Sequence, residues 1–291
     1  MKNILVIGSS NTDMTAIVPA IPKPGETVVG SEYRVTLGGK GANQAVACAR
    51  QGACTAFVTA LGSDQLAENM LSAFRADGIN TEHIVNKPTH TGVALIFVDS
   101  RGENSIGVAP GANALLTPED IEAADSLFVP GDILLLQLEI PMETVLYAAV
   151  KARKRNMTVI LNPAPICAVP EELLQNTDII TPNEHELSAL GSAEQLFEKG
   201  VSLLIATKGS RGVEVVSPRE RFDVPAFRVK AVDTVGAGDC FNGSFAAALA
   251  MGLDLKASVI RGAASAALAV TREGAQVSMP SKRETDEFLT K

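Results

Sequence analysis

The sequence predicts an α/β fold of three layers, in which helices cover both faces of a mostly parallel central sheet. Short apolar runs alternate with segments of helix length, a pattern typical of parallel strands that are buried on both faces. The alternation continues over most of the chain without a linker or an internal repeat. We therefore expect a single α/β domain covering residues 1–291.

The expected strands are short and almost wholly apolar. They are Ile4–Ile7, Ala56–Ala60, Ile133–Leu138, Thr158–Leu161, Asp178–Ile180 and Val201–Ala206. The helical candidates between them span residues 41–52, 64–77, 117–128, 141–155 and 184–191. Polar residues stand directly after several strands, at Gly8–Asp13, Glu139, Asn162 and Asn183. Because ligands bind beyond the carboxyl ends of parallel strands, we expect these residues to converge.

Two segments, residues 12–37 and 90–108, break the alternation. The first has several prolines followed by Thr27–Val29 and Tyr33–Leu37, and the second holds apolar stretches on both sides of a polar turn. Both segments are predicted to be β-hairpins. The residues alone leave two interpretations open: a small β-sheet lid over a ligand, or two surface hairpins with no role.

Composition excludes several classes of function. No apolar run reaches the roughly 18 residues of a membrane span, and the N-terminus does not have the pattern of a signal peptide. The net charge of −8 argues against a nucleic-acid surface. The four cysteines lack paired spacing, which suits reduced thiols in the cytoplasm. The three histidines share no spacing typical of zinc ligands.

The most informative segment is 233–239, which reads Asp-Thr-Val-Gly-Ala-Gly-Asp and leads into an apolar run with helical spacing, residues 240–250. The N-terminus of such a helix holds an anion such as phosphate. Gly236 and Gly238 would let the backbone approach that anion closely. Asp239 beside a phosphate fits a base that takes a proton from an attacking hydroxyl. The alternative is an ordinary glycine turn before a helix.

A second glycine-rich segment, residues 38–45, reads Gly-Gly-Lys-Gly-Ala-Asn-Gln-Ala. Together with Asn11 and Asp13, its Lys40 and Asn43 offer hydrogen-bond donors and acceptors on short, turn-prone backbone. A polyhydroxylated ligand needs a clamp of this kind. Taken singly, these residues fit a surface lysine and turn caps equally well. Their combination with the 233–239 segment favours a ligand site.

On these motifs the chain resembles the ribokinase (PfkB-type) family of carbohydrate kinases from end to end. The resemblance also rests on Asn11–Asp13, Pro24–Thr27, Leu136–Glu139, Asn162–Pro165, Thr181–Glu184 and Val270–Gln276. It implies a ribokinase-like fold whose two hairpins form a lid that covers the sugar and pairs two subunits into a homodimer. Within the family, the Gly-Gly-Lys-Gly-Ala-Asn form points to pentose kinases.

The resemblance implies a role for each candidate site residue. Asp239 would be the catalytic base, and the amides of Gly236, Ala237 and Gly238 would form the anion hole. The substrate-binding positions would be Asn11, Asp13, Gly38, Gly39, Lys40, Gly41, Asn43, Glu139 and Asp239. The positions for ATP and Mg²⁺ would be Asn183, Glu186, Thr207, Lys208, Gly209, Ser210, Arg211, Gly212 and Gly238. The residues alone also fit a solvated strand end at Glu139, a helix cap at Asn183 and Glu186, and plain surface charge at Lys208 and Arg211.

The resemblance further implies a monovalent-cation site for K⁺. The matching positions are Asp233, Val235, Ala269, Arg272, Gly274 and Ser278. A cation there would order the 233–239 turn without joining the chemistry. The alternative is a loop that hydrogen bonds alone hold in place.

Three features depart from the family pattern. The stretch between Leu190 and Val201 is shorter than expected, and Ala263 stands where some members place a histidine that contacts adenine. Adenine recognition is therefore less well specified than phosphate recognition. Thr12 occupies a position where a small residue is usual, which could alter selectivity among sugar hydroxyls.

The expected function is ATP-dependent phosphorylation of D-ribose at O5, with D-ribose and ATP as ligands and neither nucleic acid nor membrane as a partner. A close alternative is a sister kinase for 2-deoxyribose or another furanose or nucleoside. An alternative of another class is a catalytically silent sugar or nucleotide sensor, which would have no need of the base Asp239. An NAD-dependent dehydrogenase fits poorly, because Gly8–Asp13 lacks the Gly-x-Gly-x-x-Gly pattern.

Overall fold

A computed structural model describes residues 1–290 of the chain. The strands are β1 (Ile4–Ile7), β2 (Asn11–Ile17), β3 (Glu32–Gly38), β4 (Thr55–Val58), β5 (Ala60–Leu61), β6 (Val85–Asn86), β7 (Gly92–Val98), β8 (Asn104–Ala109), β9 (Ile133–Leu136), β10 (Thr158–Leu161), β11 (Ile179–Ile180), β12 (Leu203–Thr207), β13 (Val213–Val216) and β14 (Arg221–Val224). The helices are α1 (Lys40–Arg50), α2 (Gln65–Ala76), α3 (Pro118–Ala123), α4 (Met142–Lys154), α5 (Glu171–Gln175), α6 (Glu184–Leu190), α7 (Ala193–Glu198), α8 (Ala237–Ala250), α9 (Leu255–Ala269) and α10 (Lys282–Leu289).

The central sheet has eight strands in the spatial order β14-β13-β12-β11-β10-β9-β1-β4. From β4 to β12 all neighbours are parallel, and only β13 and β14 add an antiparallel edge. The carboxyl ends of six strands therefore meet at one edge of the sheet. This confirms the mostly parallel sheet that the apolar runs predict.

Both faces of the sheet are covered, and β1 shows why its sequence is continuously apolar. Ile4 and Val6 pack into the core on the side of α1, α2, α8 and α9, whereas Leu5 and Ile7 pack on the side of α3, α4, α5 and α7. Successive side chains of a strand point to opposite faces. A strand between two helical layers thus needs apolar residues at every position, and the three-layer prediction is confirmed.

A separate sheet of four strands, in the order β3-β2-β7-β8, is formed by the two segments in which hairpins are predicted. Strand β2 lies at its centre, antiparallel to β3 and parallel to β7. Asp13 pairs with Thr36 and Ala94, and Met14 pairs with Val35 and Leu95. Because neighbouring residues face opposite ways, Asp13 and Met14 belong to different faces of this sheet.

The composition of the first hairpin differs from the prediction. Thr27–Val29 forms no strand, and β3 pairs instead with β2, Asn11–Ile17. Three prolines in residues 18–31 cannot donate ladder hydrogen bonds, and Val29 is exposed. Strand β2 escaped the sequence analysis because its polar first residues, Asn-Thr-Asp, do not form an apolar run.

Smaller differences concern the helices. The candidate at 117–128 divides into α3 and a short 3₁₀ turn at Asp125–Leu127. The sequence patterns do not predict α5, α7, α9 and α10, nor the antiparallel β13–β14 edge. Within residues 1–290, no helix combines the length and the apolar character needed to cross a membrane.

Candidate functional site

A polar cavity of about 220 Å³ lies beyond the carboxyl ends of the central strands. The residues that line it come from α1, the loops after β10, β11 and β12, and the start of α8. They are Lys40, Asn162, Ala164, Thr181, Asn183, Glu186, Thr207, Thr234, Gly236, Ala237, Gly238, Asp239 and Asn242. The structure therefore brings together the second glycine-rich segment, the polar strand ends and the 233–239 segment.

Helix α8 begins at the cavity with a left-handed turn at Gly236, whose φ is 73°. A Cβ at this position would also lie 3.1 Å from the Cβ of Ala275, so glycine meets both a conformational and a spatial demand. The N–H of Ala237 donates to the carbonyl oxygen of Thr234 at 3.2 Å. Within residues 1–290, the N–H groups of Gly236 and Gly238 donate no hydrogen bond. At the positive end of a helix dipole, these two amides are suited to hold an anion.

Asp239 lies in the first turn of α8 and is only 6% exposed. Asn43 Nδ2 donates to its Oδ2 at 2.9 Å, and Gln44 Nε2 donates to its Oδ1 at 2.9 Å. Burial raises the pKa of the Asp239 carboxyl, while the charge of Lys40 and the two amide donors oppose that rise. The pKa of Lys40 is raised in turn, chiefly by the charge of Asp239. A buried carboxylate with directed donors beside open amides suits proton transfer next to an anion.

Lys40 is the one predicted clamp residue that lines this cavity. Close contacts between backbones hold the other clamp residues beside the start of α1. Gly39 has a φ of 88° and stands directly before α1, where a Cβ would lie 2.6 Å from the backbone nitrogen of Asn11. A Cβ at Gly38 would collide with the carboxylate of Asp13. Asn113 Nδ2 donates to Asn11 Oδ1 at 2.8 Å and fixes the direction of that amide. The glycines therefore allow the four-stranded sheet to press its polar strand against the start of α1.

Glu139 caps helix α1 from a distant part of the chain. Its Oε2 accepts from Ser9 Oγ at 2.5 Å and from the N–H of Lys40 at 3.0 Å. Gly39, the residue at the N-cap, has no side chain to do so. Glu139 is therefore not a solvated strand end. Its other carboxylate oxygen takes no part in these two bonds and can accept a hydrogen bond from a ligand.

The pKa of the Asp13 carboxyl is raised to about 7. Burial is the largest cause, and the charges of Glu139 and Asp239 add to it, while Lys40 opposes it. Four carboxyl groups, with Glu186 as the fourth, therefore act on Lys40 through their charge. Donors on a ligand, such as sugar hydroxyls, would relieve this crowding of negative charge.

Asn183 and Glu186 form a reciprocal capping box at the start of α6. Glu186 accepts from Asn183 N at 2.8 Å and from Asn183 Nδ2 at 2.9 Å, and Asn183 Oδ1 accepts from Glu186 N at 2.9 Å. The cap that the residues alone suggest is present, and both side chains also line the cavity. Burial raises the pKa of Glu186. Within residues 1–290 no group of three or more His, Cys, Asp or Glu residues could enclose a metal.

An apolar cavity of about 360 Å³ adjoins the polar one and shares Thr207, Thr234, Ala237 and Gly238 with it. Gly209, Ser210 and Gly212 line it at one end. Its apolar walls include Val213, Ala226, Phe227, Val229, Phe241, Ala263, Ala266 and Val270. The two basic residues of the loop are engaged elsewhere: Lys208 pairs with Glu214 at 2.7 Å, and Arg211 pairs with Glu184. A flat apolar group fits this cavity, with polar contacts confined to the 207–212 end.

Asp233 ties together the two loops that hold the predicted cation positions. Its Oδ1 accepts from Val235 N at 3.0 Å and its Oδ2 from Gly274 N at 2.9 Å. Arg272 contacts the carbonyl oxygen of Ser278 at 3.4 Å. These bonds use both oxygens of Asp233 and are of the kind that the hydrogen-bonded alternative requires, so the cation site stays a prediction. The loop also packs on Gly236 through Ala275, so its order bears directly on the anion-binding turn.

Several residues of the site were missed by the sequence analysis. Ser9 and Asn113 position Glu139 and Asn11, and Gln44 holds Asp239. Thr181 Oγ1 donates to Asn242 Oδ1 at 2.6 Å beneath the start of α8. Ser9 lies in the segment Gly8–Asp13 and Gln44 in the glycine-rich segment 38–45. Their place in these segments is the only feature of the sequence that indicates a role in the site.

Comparison with known proteins agrees with this geometry. The model of the pfkB family carbohydrate kinases matches residues 1–282. A ribokinase of Haemophilus influenzae is 42% identical over 99% of this chain and 98% of its own length. A deoxyribokinase of Salmonella typhimurium is 37% identical over 99% of both chains.

Solved structures show the same relationship. A crystal structure of ribokinase from Thermotoga maritima matches with a TM-score of 0.93 and 42% identity over 100% of both chains. A structure of Arabidopsis thaliana ribokinase complexed with ribose and ATP matches with a TM-score of 0.90 and 31% identity, covering 100% of this chain and 99% of that one.

We predict that the carboxyl of Asp13 titrates near pH 7 in the protein without ligand, as its pKa of about 7 requires. The group would be largely protonated below that pH and ionised above it. NMR of protein with ¹³C-labelled aspartate carboxyls measures this, with Asp13→Asn used to assign the signal. Glu139→Gln should lower the pKa of Asp13, because it removes a neighbouring negative charge. Titration of Asp13 in the ordinary aspartate range would contradict the prediction.

Proposed function

Since the chain belongs to the pfkB family of carbohydrate kinases, we propose that it transfers the γ-phosphoryl group of ATP to O5 of D-ribose and so forms D-ribose 5-phosphate. One observation carries the proposal: the buried carboxylate of Asp239 stands beside the open amides of Gly236 and Gly238, in the cavity that Lys40 also lines. The ribokinase relatives, one of them bound to ribose and ATP, support the choice of substrates.

The residues divide the reaction between them. Asn11, Asp13, Asn43 and the open oxygen of Glu139 would bind the ribose hydroxyls, with Lys40 beside the transferred phosphoryl group. Asp239 would take the proton of the O5 hydroxyl as the oxygen attacks phosphorus and the bond to the ADP oxygen breaks. In a loose transition state the proton leaves late, so a carboxylate is a sufficient base.

The transferred phosphoryl group would lie at the start of α8. The amides of Gly236 and Gly238 would donate to the phosphoryl oxygens where negative charge develops, without reorganisation during the reaction. The N–H of Ala237 serves the turn instead, through its bond to Thr234. We therefore assign the anion hole mainly to Gly236 and Gly238, with Ala237 shaping the turn.

ATP would place its base in the apolar cavity and its phosphates toward the 207–212 loop. Thr207, Gly209, Ser210 and Gly212 line that cavity, whereas Lys208 and Arg211 would have to leave Glu214 and Glu184 to reach a phosphate. Ala263 adds only a methyl group to the wall. Base recognition in this proposal rests on shape, with few directed polar contacts.

Mg²⁺ would be held chiefly by the phosphates and by water, near Glu186 and Asn183. Two carboxylates, Glu186 and Asp239, line the cavity. With Asp239 assigned as the base, Glu186 alone would serve the ion, which fits this mode of binding because Mg²⁺ keeps several waters and needs few protein ligands. The ion would supply positive charge to the phosphate oxygens. Glu186 would keep its capping bonds to Asn183 while orienting that water shell.

A 2-deoxyribose kinase is the second candidate. The similarity to a deoxyribokinase, at 37% identity, favours keeping it open. The two sugars differ by one hydroxyl, and a polar group left unpaired costs about 1–3 kcal/mol. A silent sensor has less support, because it would bury the carboxylate of Asp239 beside an anion site to no purpose.

We further propose that the four-stranded sheet is the lid over the sugar and joins two copies of the chain. The face that carries Asp13 serves the substrate. The opposite face exposes Tyr33, Val35, Leu95 and Phe97 as neighbours across three strands. A contiguous apolar face of this kind is suited to bury against a second copy.

A cytoplasmic location also belongs to this proposal, and the free state of all four cysteines supports it.

Steady-state kinase assays over a panel of pentoses test the proposed reaction. We expect D-ribose to have the highest kcat/KM, 2-deoxyribose to rank below it, and the product to be the 5-phosphate by NMR. Asp239→Asn should bind ribose and ATP by calorimetry yet lose about 10²–10⁴-fold in kcat, because only the proton acceptor is removed. Turnover of no pentose by the wild-type chain would reject the proposal.

Potassium should activate the enzyme. The reason is that a cation bound at the positions Asp233, Val235, Ala269, Arg272, Gly274 and Ser278 would order the loop that packs on Gly236 before phosphate arrives. Rates are compared in K⁺, Na⁺ and choline at constant ionic strength with saturating Mg²⁺, and Asp233→Ala should blunt the response. Equal rates in K⁺ and choline would rule the cation site out.

The lid proposal predicts a dimer in solution. Sedimentation equilibrium should give twice the chain mass for the wild type, and Leu95→Glu should shift the protein to monomer because it places a charge in the apolar face. Val129→Glu changes an exposed apolar residue outside that sheet and is the matched control. A wild-type monomer, or a Leu95→Glu dimer of unchanged stability, would contradict the lid-mediated interface.

A further inference from the structure

Gln44 lies on helix α1, and its completely buried side chain contacts Asp239 at the start of α8. We propose that Gln44 is a positioning residue that holds the carboxylate of Asp239 in its reactive direction, and that Gln137 fixes the direction of the Gln44 amide. The inference rests on the proposed function, since it assigns Asp239 as the base. Gln44 lies outside the cavity wall, so it acts on the substrate only through Asp239.

The contacts leave one acceptor position for a substrate on each carboxylate oxygen. Oδ1 accepts from Gln44 Nε2 and Oδ2 accepts from Asn43 Nδ2, each at 2.9 Å. A carboxylate oxygen offers about two acceptor directions. With one direction on each oxygen taken by a fixed donor, the carboxylate plane cannot rotate, and the remaining direction is defined before the sugar binds.

The amide of Gln44 can be placed in two orientations, and its neighbours select one of them. Gln137 Nε2 donates to Gln44 Oε1 at 2.6 Å, so Oε1 must face Gln137 and Nε2 must face Asp239. Nε2 also donates to Asn162 Oδ1 at 3.1 Å. Gln137 is itself completely buried, and its Oε1 has no hydrogen-bond partner. Burying the Gln137 amide with its oxygen unpaired costs free energy of folding. Its one hydrogen bond in this position orients the amide of Gln44.

The same hydrogen-bonded chain reaches the anion hole. Asn162 Nδ2 donates to the Thr181 carbonyl oxygen at 3.1 Å, and Thr181 Oγ1 donates to Asn242 Oδ1 at 2.6 Å. Asn242 Nδ2 then donates to the carbonyl oxygen of Gly238 at 2.9 Å. The base and the anion-binding turn are therefore braced by one buried polar network that runs along the carboxyl ends of β9, β10 and β11.

The charges around Asp239 come from four other elements. Lys40 on α1 favours its ionised form, whereas Glu139 after β9, Asp13 on β2 and Glu186 on α6 oppose it. Hydrogen bonds from Asn43 and Gln44 also favour the ionised form. Removing the Gln44 donor while keeping these charges should raise the pKa of Asp239. A misplaced Asp239 carboxylate and a smaller ionised fraction of it would both lower kcat.

The test replaces Gln44 with methionine, which has similar volume and no N–H. We expect Gln44→Met to lower kcat about ten- to a hundredfold, the range for loss of a hydrogen bond to a charged group. The KM for ribose should change little, and the acidic limb of the kcat–pH profile should move to higher pH. A merely structural role would lower the Tm and leave both the profile and the kcat per folded molecule unchanged.

Gln51→Met is the matched control, because Gln51 is an equally buried glutamine in the capping position after the same helix. Its bonds go to Pro280, Thr285 and Arg261, away from Asp239. It should lower the Tm without moving the pH profile. Gln137→Met serves if Gln44→Met does not fold: it removes an unpartnered acceptor, keeps Gln44, and should move the acidic limb in the same direction by a smaller amount.

A readout without turnover separates this inference from the proposed reaction. Infrared difference spectra, with Asp239→Asn subtracted, follow the ionisation of the Asp239 carboxyl in protein without ligand. A raised pKa in the Gln44 and Gln137 variants supports positioning even if the wild-type chain fails to phosphorylate ribose, which would reject only the proposed function. An unmoved pKa in both folded variants, or an unmoved kcat where the wild type is active, would overturn the inference.

Discussion

The contact between helices α1 and α8 is the constraint on which the rest of the site depends. A Cβ at Gly243 would lie 2.5 Å from both the Cβ of Ala47 and the Gln44 carbonyl oxygen, so the two helices approach as closely as their backbones allow. Both helices begin at the same edge of the sheet. Their closeness lets Asn43 and Gln44 on one helix bond to Asp239 on the other, and it brings two positive helix ends to one cavity.

Those helix ends compensate for an unusual density of negative charge. Asp13, Glu139, Glu186 and Asp239 all act on Lys40 through their charge. Burial raises the pKa values of Asp13, Glu186 and Asp239. Glu139 is stabilised because it caps α1 in place of a side chain on Gly39. The site therefore holds several acceptors that a polyhydroxylated ligand, which brings several donors, would satisfy.

The sequence predicts the layers of the fold and the location of the site, because both follow from short-range rules. Apolar runs locate the buried strands, and polar residues after them converge at one edge. Prediction from the sequence fails where a tertiary contact determines the local structure or the role of a residue. Strand β2 begins with Asn11 and Asp13, which read as a turn until the pairing with β3 and β7 is known. Gln44 carries no local sign of its role, since nothing in the chain pairs it with a residue 195 positions away.

The basic residues show most clearly where sequence reasoning ends. Lys208 and Arg211 stand in a glycine-rich loop and suggest phosphate ligands, yet each is paired with a glutamate in the protein without nucleotide. With those charges engaged and a net charge of −8, anion binding in the proposed reaction would rest on Lys40 and on the backbone amides of Gly236 and Gly238. Amides serve only when the main chain has the right shape. Because Gly236 packs on Ala275, the proposed phosphate site would depend on the 270–278 loop as much as on the residues that contact the phosphate.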